Sequence, residues 1–580
     1  MIQINTGRFF KTEDVYRTTQ RTVLYSNYRG YNPIDTVAGS YAPANSTTDV
    51  ASAVYIVDQI LEASMPDGTP SILVAVHSET LAQDFAVLVS FCLRITCALD
   101  PALVSRLTQS IRPPIGVTTH PSQLVDQIFD REVRPHQVDE TLLPRFVADL
   151  VQLERVRFKA VMRAIRRYVI GLHRIGDDPA LAYALLVASI ESLAQDFDQF
   201  KATWEDFDPD KKRRIDKALT TADVTTRKAV RSVVLENEHI ALRRRYQEFA
   251  LGHLPSSFYR EEAADRGAAA RAGDLPLALK HAYAFRSRLV HQLEELPGQL
   301  VLPLPRTDIV QIDGKPALTF SGLARIARRV IMQFVELSPK LAAEDFNYRS
   351  DLPNVMRAPL APRYWMWRAE NYNARTARRY LSGFLRELES LMLGRKTGIT
   401  DMSNVLKKIE RQVPTLAPCN RRPMVALYLL WHQNVAEELR RPDAEVFFQR
   451  HLSDLEDVSI ESLICYTILS HRTGWDPDEQ EQIRIDYQKQ RYHKGGIRLG
   501  PVFEVALTLD TAEAFRLSGK MPEALSLIAD AVENMPGEVA LLDLEQTWLA
   551  GKIAPIRWRD ILLRQDVVRS SDVYQQEIVA

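Results

Sequence analysis

The spacing of apolar positions separates a first part of mixed character from a long helical remainder. Between Leu277 and His291, apolar residues recur at Leu279, Ala282, Phe285, Leu289 and Val290, the three-or-four spacing that sets one face of a helix against a core. Upstream, Val151 to Arg174 reads as one long helix with Phe158, Val161, Ile165, Tyr168, Val169 and Leu172 on its buried stripe. After Asp177-Asp178-Pro179 a second helix, Ala180 to Phe197, is apolar on nearly every side and belongs at the centre of a bundle. Glu191 and Ser192 are its polar exceptions, and a carboxylate in such surroundings calls for a basic partner on a neighbouring helix. Ile309 to Ile312, the Asp313-Gly314 turn and Lys315 to Phe320 form a hairpin pattern, followed by a helix from Ser321 to Glu336 with Ser321 as its cap.

The first 140 residues mix the two periods. Asp49 to Ala63 follows a helical spacing, Ile72 to Val76 is a short β-branched run expected as a buried strand, and Leu81 to Leu99 is expected as a mostly buried helix. The Pro/Gly/Thr stretch from Arg112 to Pro121 reads as a loop, and His77, just after the expected strand, as a structural residue. Beyond the proline-rich patch Pro353 to Pro362 and the aromatic cluster Tyr364-Trp365-Met366-Trp367, the chain reads as successive helices. There Ala512 to Leu525, continuing through Ala531 to Pro536, resembles one tetratricopeptide unit, with small residues, a turn glycine, Glu-Ala-Leu and a closing proline. One unit cannot bury its own face, so neighbouring helix pairs are expected to stack on it and offer a surface to a protein partner. The fold expected is therefore mainly α: a small α/β domain over 1–140, a helical bundle with a short hairpin over 141–345, and α-solenoid-like repeats over 346–580.

Composition changes this picture little. The 580 residues are 46% hydrophobic and 25% charged, and 73 basic against 74 acidic side chains leave a net charge of -1. No global field draws in nucleic acid, so any such contact rests on local patches. Two are evident: Lys211-Lys212-Arg213-Arg214 and Arg243-Arg244-Arg245. Cys92, Cys97, Cys419 and Cys465 have no ligand spacing, and the start of the chain shows no signal pattern. The expectation is a cytoplasmic protein without membrane contact, cofactor or metal. Phosphate-cradling glycine loops, His-Glu-x-x-His and Gly-x-Ser-x-Gly are all missing from the sequence.

What chemistry the sequence does offer lies at the end of the Leu277–His291 stretch. Arg286-Ser287-Arg288-Leu289-Val290-His291 matches an Arg-x4-His signature. With Ala188-Ser189-Ile190-Glu191-Ser192-Leu193 on the apolar helix upstream and Ala282-Tyr283-Ala284-Phe285 leading into it, the region from about 150 to 330 resembles the HEPN superfamily. The branch is the ApeA-like one of bacterial anti-phage proteins. Members of that branch often carry glycine after the motif histidine, where this chain has Gln292. Arg288 lies three residues from His291 and Arg286 five, and on an ideal helix positions five apart diverge by about 140°. The family pattern selects Arg286.

The resemblance implies a metal-independent endoribonuclease acting as an abortive-infection effector. In it, two bundles pack as a homodimer or higher assembly with Arg286 and His291 of both copies lining one cleft. His291 is then the general base or acid, Arg286 the phosphate clamp, Ser287 an orienting residue, and Glu191 the group that holds Arg286 or Arg288. A phage-borne or protein trigger would act on the C-terminal repeats. The competing expectation is a non-catalytic scaffold, whose bundle binds RNA or protein while its repeats assemble a complex.

Overall fold

The structure is a computed structural model that describes residues 1–46, 49–71, 73–109, 119–197, 203–204, 209–237, 242–304, 306–353, 355–356 and 358–563. The chain is mainly helical and divides into two compact units, Met1–Arg357 and Ala358–Ala580.

The first unit begins with an antiparallel sheet of five strands, β1 (Val15–Ser26), β2 (Ile34–Thr36), β3 (Gly39–Ala44), β4 (Ala51–Glu62) and β5 (Cys97–Ala98), in the order β2-β3-β4-β1-β5. β1 and β4 pair over their full lengths, from Val15 opposite Glu62 to Ser26 opposite Ala51. The expected helix at Asp49 to Ala63 is thus a strand. Ala51, Ala53, Tyr55, Val57 and Gln59 are buried in strict alternation, and the branched side chains Val54, Ile56, Val57 and Ile60 suit the pleat. The expected strand at Ile72 to Val76 is likewise corrected: Ser71 and Leu73–His77 form no strand, Leu73 is exposed, and Ile72 lies outside the described residues. Val76 spends its carbonyl on the Gln59 side-chain amide, 3.0 Å away, rather than on a ladder.

A helix over Ser78–Leu93 lies on the sheet, with Phe85 stacked on Tyr55 at 4.4 Å between ring centres. It ends at Arg94, which takes a left-handed conformation (φ 54°). His77 is the residue before its first turn. The loop expected at 112–121 falls mostly on residues outside the described set.

The bundle follows. The helix expected over Val151 to Arg174 begins only at Arg155, and Val151 ends a separate helix, Leu142–Val151, because the carbonyls of Val151 and Leu153 accept from the Gln3 amide at 3.1 and 2.7 Å instead of continuing a helical ladder. Arg155–Arg174 then turns back into Pro179–Phe197, and Gly171 lets the two approach: a Cβ there would meet Leu185 Cβ at 3.1 Å. Pro179–Phe197 is the one described helix long and apolar enough to span a bilayer, and more than half of that stretch is buried within the bundle. The helix Leu275–Gln292 packs on it, and beyond come β6 (Ile309–Ile312) and β7 (Lys315–Leu318), joined by Asp313 and Gly314, both with positive φ as a primed hairpin turn requires. The last helix, Phe320–Leu337, is capped by the hydroxyl of Thr319, which accepts from Gly322 N at 3.0 Å; Ser321, the expected cap, instead accepts from Arg266. The sheet and the bundle share one continuous core from Ile2 to Val335.

The second unit has its own core. Helices Ala377–Met392, Pro418–Asn434, Ile460–Leu469, Pro501–Leu517, Met521–Asn534 and Val539–Leu549 each pack on the next. The resemblance to a tetratricopeptide unit falls on the pair Pro501–Leu517 and Met521–Asn534, whose turn is made at Gly519 with φ 81°, a conformation that glycine adopts without penalty.

Candidate functional site

The motif helix Leu275–Gln292 is buried along Leu275, Ala278, Leu279 and Ala282, which sets the direction of everything beyond. Continuing that stripe by one turn brings Arg286 against the Pro179–Phe197 helix. Its Nη2 lies 2.8 Å from Glu191 Oε2, with the glutamate side chain only 5% exposed and the arginine 23%. The basic partner that an embedded carboxylate demands is therefore Arg286 and not Arg288. The other glutamate oxygen, Oε1, accepts from the Tyr283 hydroxyl at 3.1 Å and from Gln195 Nε2 at 3.4 Å. Three donors on two helices thus satisfy one buried anion.

Tyr283 lies one turn before Arg286, whose guanidinium stands 5.6 Å from its ring centre. Burial, and then the Glu191 charge, push the Tyr283 hydroxyl up to about 12, against the opposing pull of Arg286 and Arg243. It stays a donor at any physiological pH. Tyr246 packs behind it at 5.6 Å, fully buried, with a hydroxyl that has no hydrogen-bond partner among the described residues. Burial and the nearby Glu191 raise its pKa as well.

The rest of the motif points elsewhere. Arg288 is exposed, reaches Glu294 at 2.9 Å and lies over the Phe285 ring at 5.2 Å. Ser287 is half-buried, and His291 is exposed in the last helical turn; neither makes a hydrogen bond among the described residues. The helix closes at Leu293, held left-handed at φ 55°, one residue beyond Gln292. Leu293 is 83% exposed and Val290 53%, so an apolar strip flanks the histidine.

Of the basic runs, Lys211-Lys212-Arg213-Arg214 lies on the helix Pro209–Ala218, with Lys211, Arg213 and Arg214 exposed. Arg243, Arg244 and Arg245 open the helix Leu242–Gly252. Arg243 is exposed and acts electrostatically on Tyr283, Arg244 pairs with Glu248 at 2.7 Å, and Arg245 lines a separate cavity with Arg157 and His253. The structure therefore brings together Arg286, Glu191 and Tyr283, with Arg243 nearby, and leaves His291 and Arg288 on the open surface. Sequence reasoning had missed Tyr283, Tyr246 and Gln195 as parts of the cluster. Tyr283 carries a signal, since a tyrosine at an apolar helix position calls for a partner for its hydroxyl, whereas the Tyr246 hydroxyl finds none among the described residues. Gln195, one turn after Glu191, carries one too.

Comparison of the chain with protein-family models, with curated proteins and with solved structures returns no match.

Proposed function

We propose that the chain is a HEPN-type, metal-independent endoribonuclease, acting in the cytoplasm as an effector of bacterial anti-phage defence. The observation that carries this reading is the Arg286–Glu191 pair at 2.8 Å, on a helix that exposes His291 just beyond it. A guanidinium fixed by a buried carboxylate is pre-oriented, and its Nη1 and Nε remain for a scissile phosphate. His291 takes the proton of the ribose 2′-hydroxyl, the 2′-oxygen attacks phosphorus, and the bond to the departing 5′-oxygen breaks as that oxygen accepts a proton from the resulting imidazolium, directly or through water. The products are a 2′,3′-cyclic phosphate and a 5′-hydroxyl. DNA, which lacks the nucleophile, is not a substrate. Because Arg286 and His291 diverge on one helix, the cleft is completed across a two-fold contact between bundles, for which the exposed Val290 and Leu293 supply apolar surface. The helices after residue 358 form tetratricopeptide-like repeats that receive a protein or phage-borne trigger.

The experiment is incubation of purified protein with total cellular RNA beside Arg286→Ala and His291→Ala. Cleavage by the parent, with 2′,3′-cyclic ends, that both variants lose is the expected result. Folded variants that cut as the parent does would end the proposal. A second reading, a non-catalytic RNA- or protein-binding scaffold, draws on the near-neutral net charge and on Arg286 being already paired. It is favoured if the parent retains RNA without cutting it, with or without infection.

A further inference from the structure

Away from the motif helix, the first unit holds a second cavity, of about 430 Å3, between the end of the Ser78–Leu93 helix, the Arg155–Arg174 helix and the Phe320–Leu337 helix. Its lining is rich in charge of both signs. On the inner side stand several guanidiniums, and they differ in how they are matched. Arg266 lies 2.9 Å from Asp126 and 3.6 Å from Asp308, and Arg325 pairs with the same fully buried Asp308. Gly322 lets the main chain of Asp308 approach this helix, since a Cβ there would collide with the Asp308 carbonyl oxygen. Arg329 lies 3.5 Å from Glu262. These three cations are spoken for.

Arg94 and Arg328 are not. Arg328 donates from Nε and Nη2 to the carbonyls of Phe91 and Cys92, both at 2.9 Å, which ties it to the negative end of a helix without using Nη1 or meeting a carboxylate. Arg94 makes no hydrogen bond or ion pair among the described residues, and it occupies a left-handed position (φ 54°) at which glycine would be the unstrained choice. Burial first, and then the charge of Arg328, push the Arg94 guanidinium below its usual range, while Tyr168 and Asp126 oppose this. Tyr168 is 2% exposed, lines the same cavity, and its hydroxyl makes no hydrogen bond among the described residues. Two like charges beside an unused hydroxyl, partly out of water, form an arrangement that an anion between them stabilises.

The exposed part of the lining is mainly acidic. Asp139, Glu261 and Asp265 are exposed there, with Arg145 as the rim's cation beside Asp139. A bare anion has nothing to gain from such a rim, but a molecule with a phosphate at one end and hydroxyl donors at the other satisfies both halves.

We infer that this cavity binds a small phosphomonoester with a hydroxyl-bearing body, a sugar phosphate or a mononucleotide, its phosphate held by Arg94, Arg328 and Tyr168 and its hydroxyls by the acidic rim. The volume suits a ligand of that size. Neither the Arg286–Glu191 pair nor His291 takes part, so the inference stands whether or not the chain cuts RNA.

Isothermal titration of the full-length protein with ribose 5-phosphate, 5′-AMP and inorganic phosphate tests it. Saturable binding of ribose 5-phosphate or AMP, tighter than that of inorganic phosphate, is the expected result. Equal binding of the two organic ligands identifies a sugar phosphate site, and preference for AMP a nucleotide site. Arg94→Gly removes one guanidinium at a position whose backbone favours glycine, so the variant keeps its thermal stability while losing affinity about tenfold or more. Tyr168→Phe, which deletes one hydroxyl, weakens binding by a smaller factor. Absence of saturable binding at millimolar ligand, unchanged affinity in Arg94→Gly, or inorganic phosphate binding as tightly as the organic ligands would each overturn the inference.

Discussion

Two groups of arginines in the first unit show what the same side chain does with and without a carboxylate. Arg286 is matched to Glu191 and braced by Tyr283 across two packed helices. Arg94 and Arg328 face a common cavity with backbone carbonyls and a tyrosine hydroxyl, but no carboxylate of their own. A matched guanidinium is rigid and partly neutralised, so it positions an incoming phosphate rather than attracting it from afar. An unmatched pair waits for an anion, and its electrostatic cost is relieved only on binding. On the two readings proposed above, Arg286 is a cation prepared for geometry, and Arg94 and Arg328 are cations prepared for affinity.

The sharpest way to break this comparison is His291→Ala. If Arg286 serves catalysis, loss of the neighbouring imidazole lowers RNA cleavage by about 10²–10⁴-fold, while the melting temperature of the exposed-site variant stays put. Single-turnover assays on a defined RNA measure it, and an equal loss of stability would indicate a structural residue instead. Next in size is Asp308→Ala, which leaves Arg266 and Arg325 buried without their shared carboxylate. It should cost about 3–5 kcal/mol in denaturant unfolding. A cost below about 1 kcal/mol would mean that those arginines are not spent as described. Glu191→Gln keeps the shape of the motif pair and removes its charge. With Arg286 partly open to solvent, a loss of about 1–2 kcal/mol is expected, together with reduced cleavage.

The smallest effect is a pH dependence. Tyr283 has a folded-state pKa of about 12, above its ordinary 10, so its protonated form is favoured by the fold. The stability it contributes is complete below pH 10 and is lost as pH rises through 12. The difference in stability between the parent and Tyr283→Phe should therefore shift only in that window. A difference that moves near neutral pH would assign the titration to another group.

Much of the bundle was legible because its helices carry a clean period. The stripe from Phe158 to Leu172, the apolar Pro179–Phe197 segment and the Asp313-Gly314 turn each state their structure locally. The sheet was harder. Ala51 to Glu62 fits both periods over its length, and pairing with β1 on one edge and β3 on the other decides for the strand. The break after Val151 is made by Gln3, nearly 150 residues away, and no local pattern announces it. At the candidate site, the need of Glu191 for a cation could be read from one helix, but the choice of Arg286 over Arg288 required the second. The cavity of Arg94 and Arg328 left no trace, since its lining comes from segments scattered between residues 94 and 332 that only the fold brings together.

The continuous interior that joins the sheet to the bundle has a consequence for any attempt to divide the protein. Cutting near residue 140 would strip Phe91 from Phe146 and Tyr168, and leave both fragments with raw apolar faces in water. A recombinant piece beginning there would be expected to aggregate rather than report on the motif helix. The smallest portion worth purifying on its own therefore runs from Met1 to about Arg357.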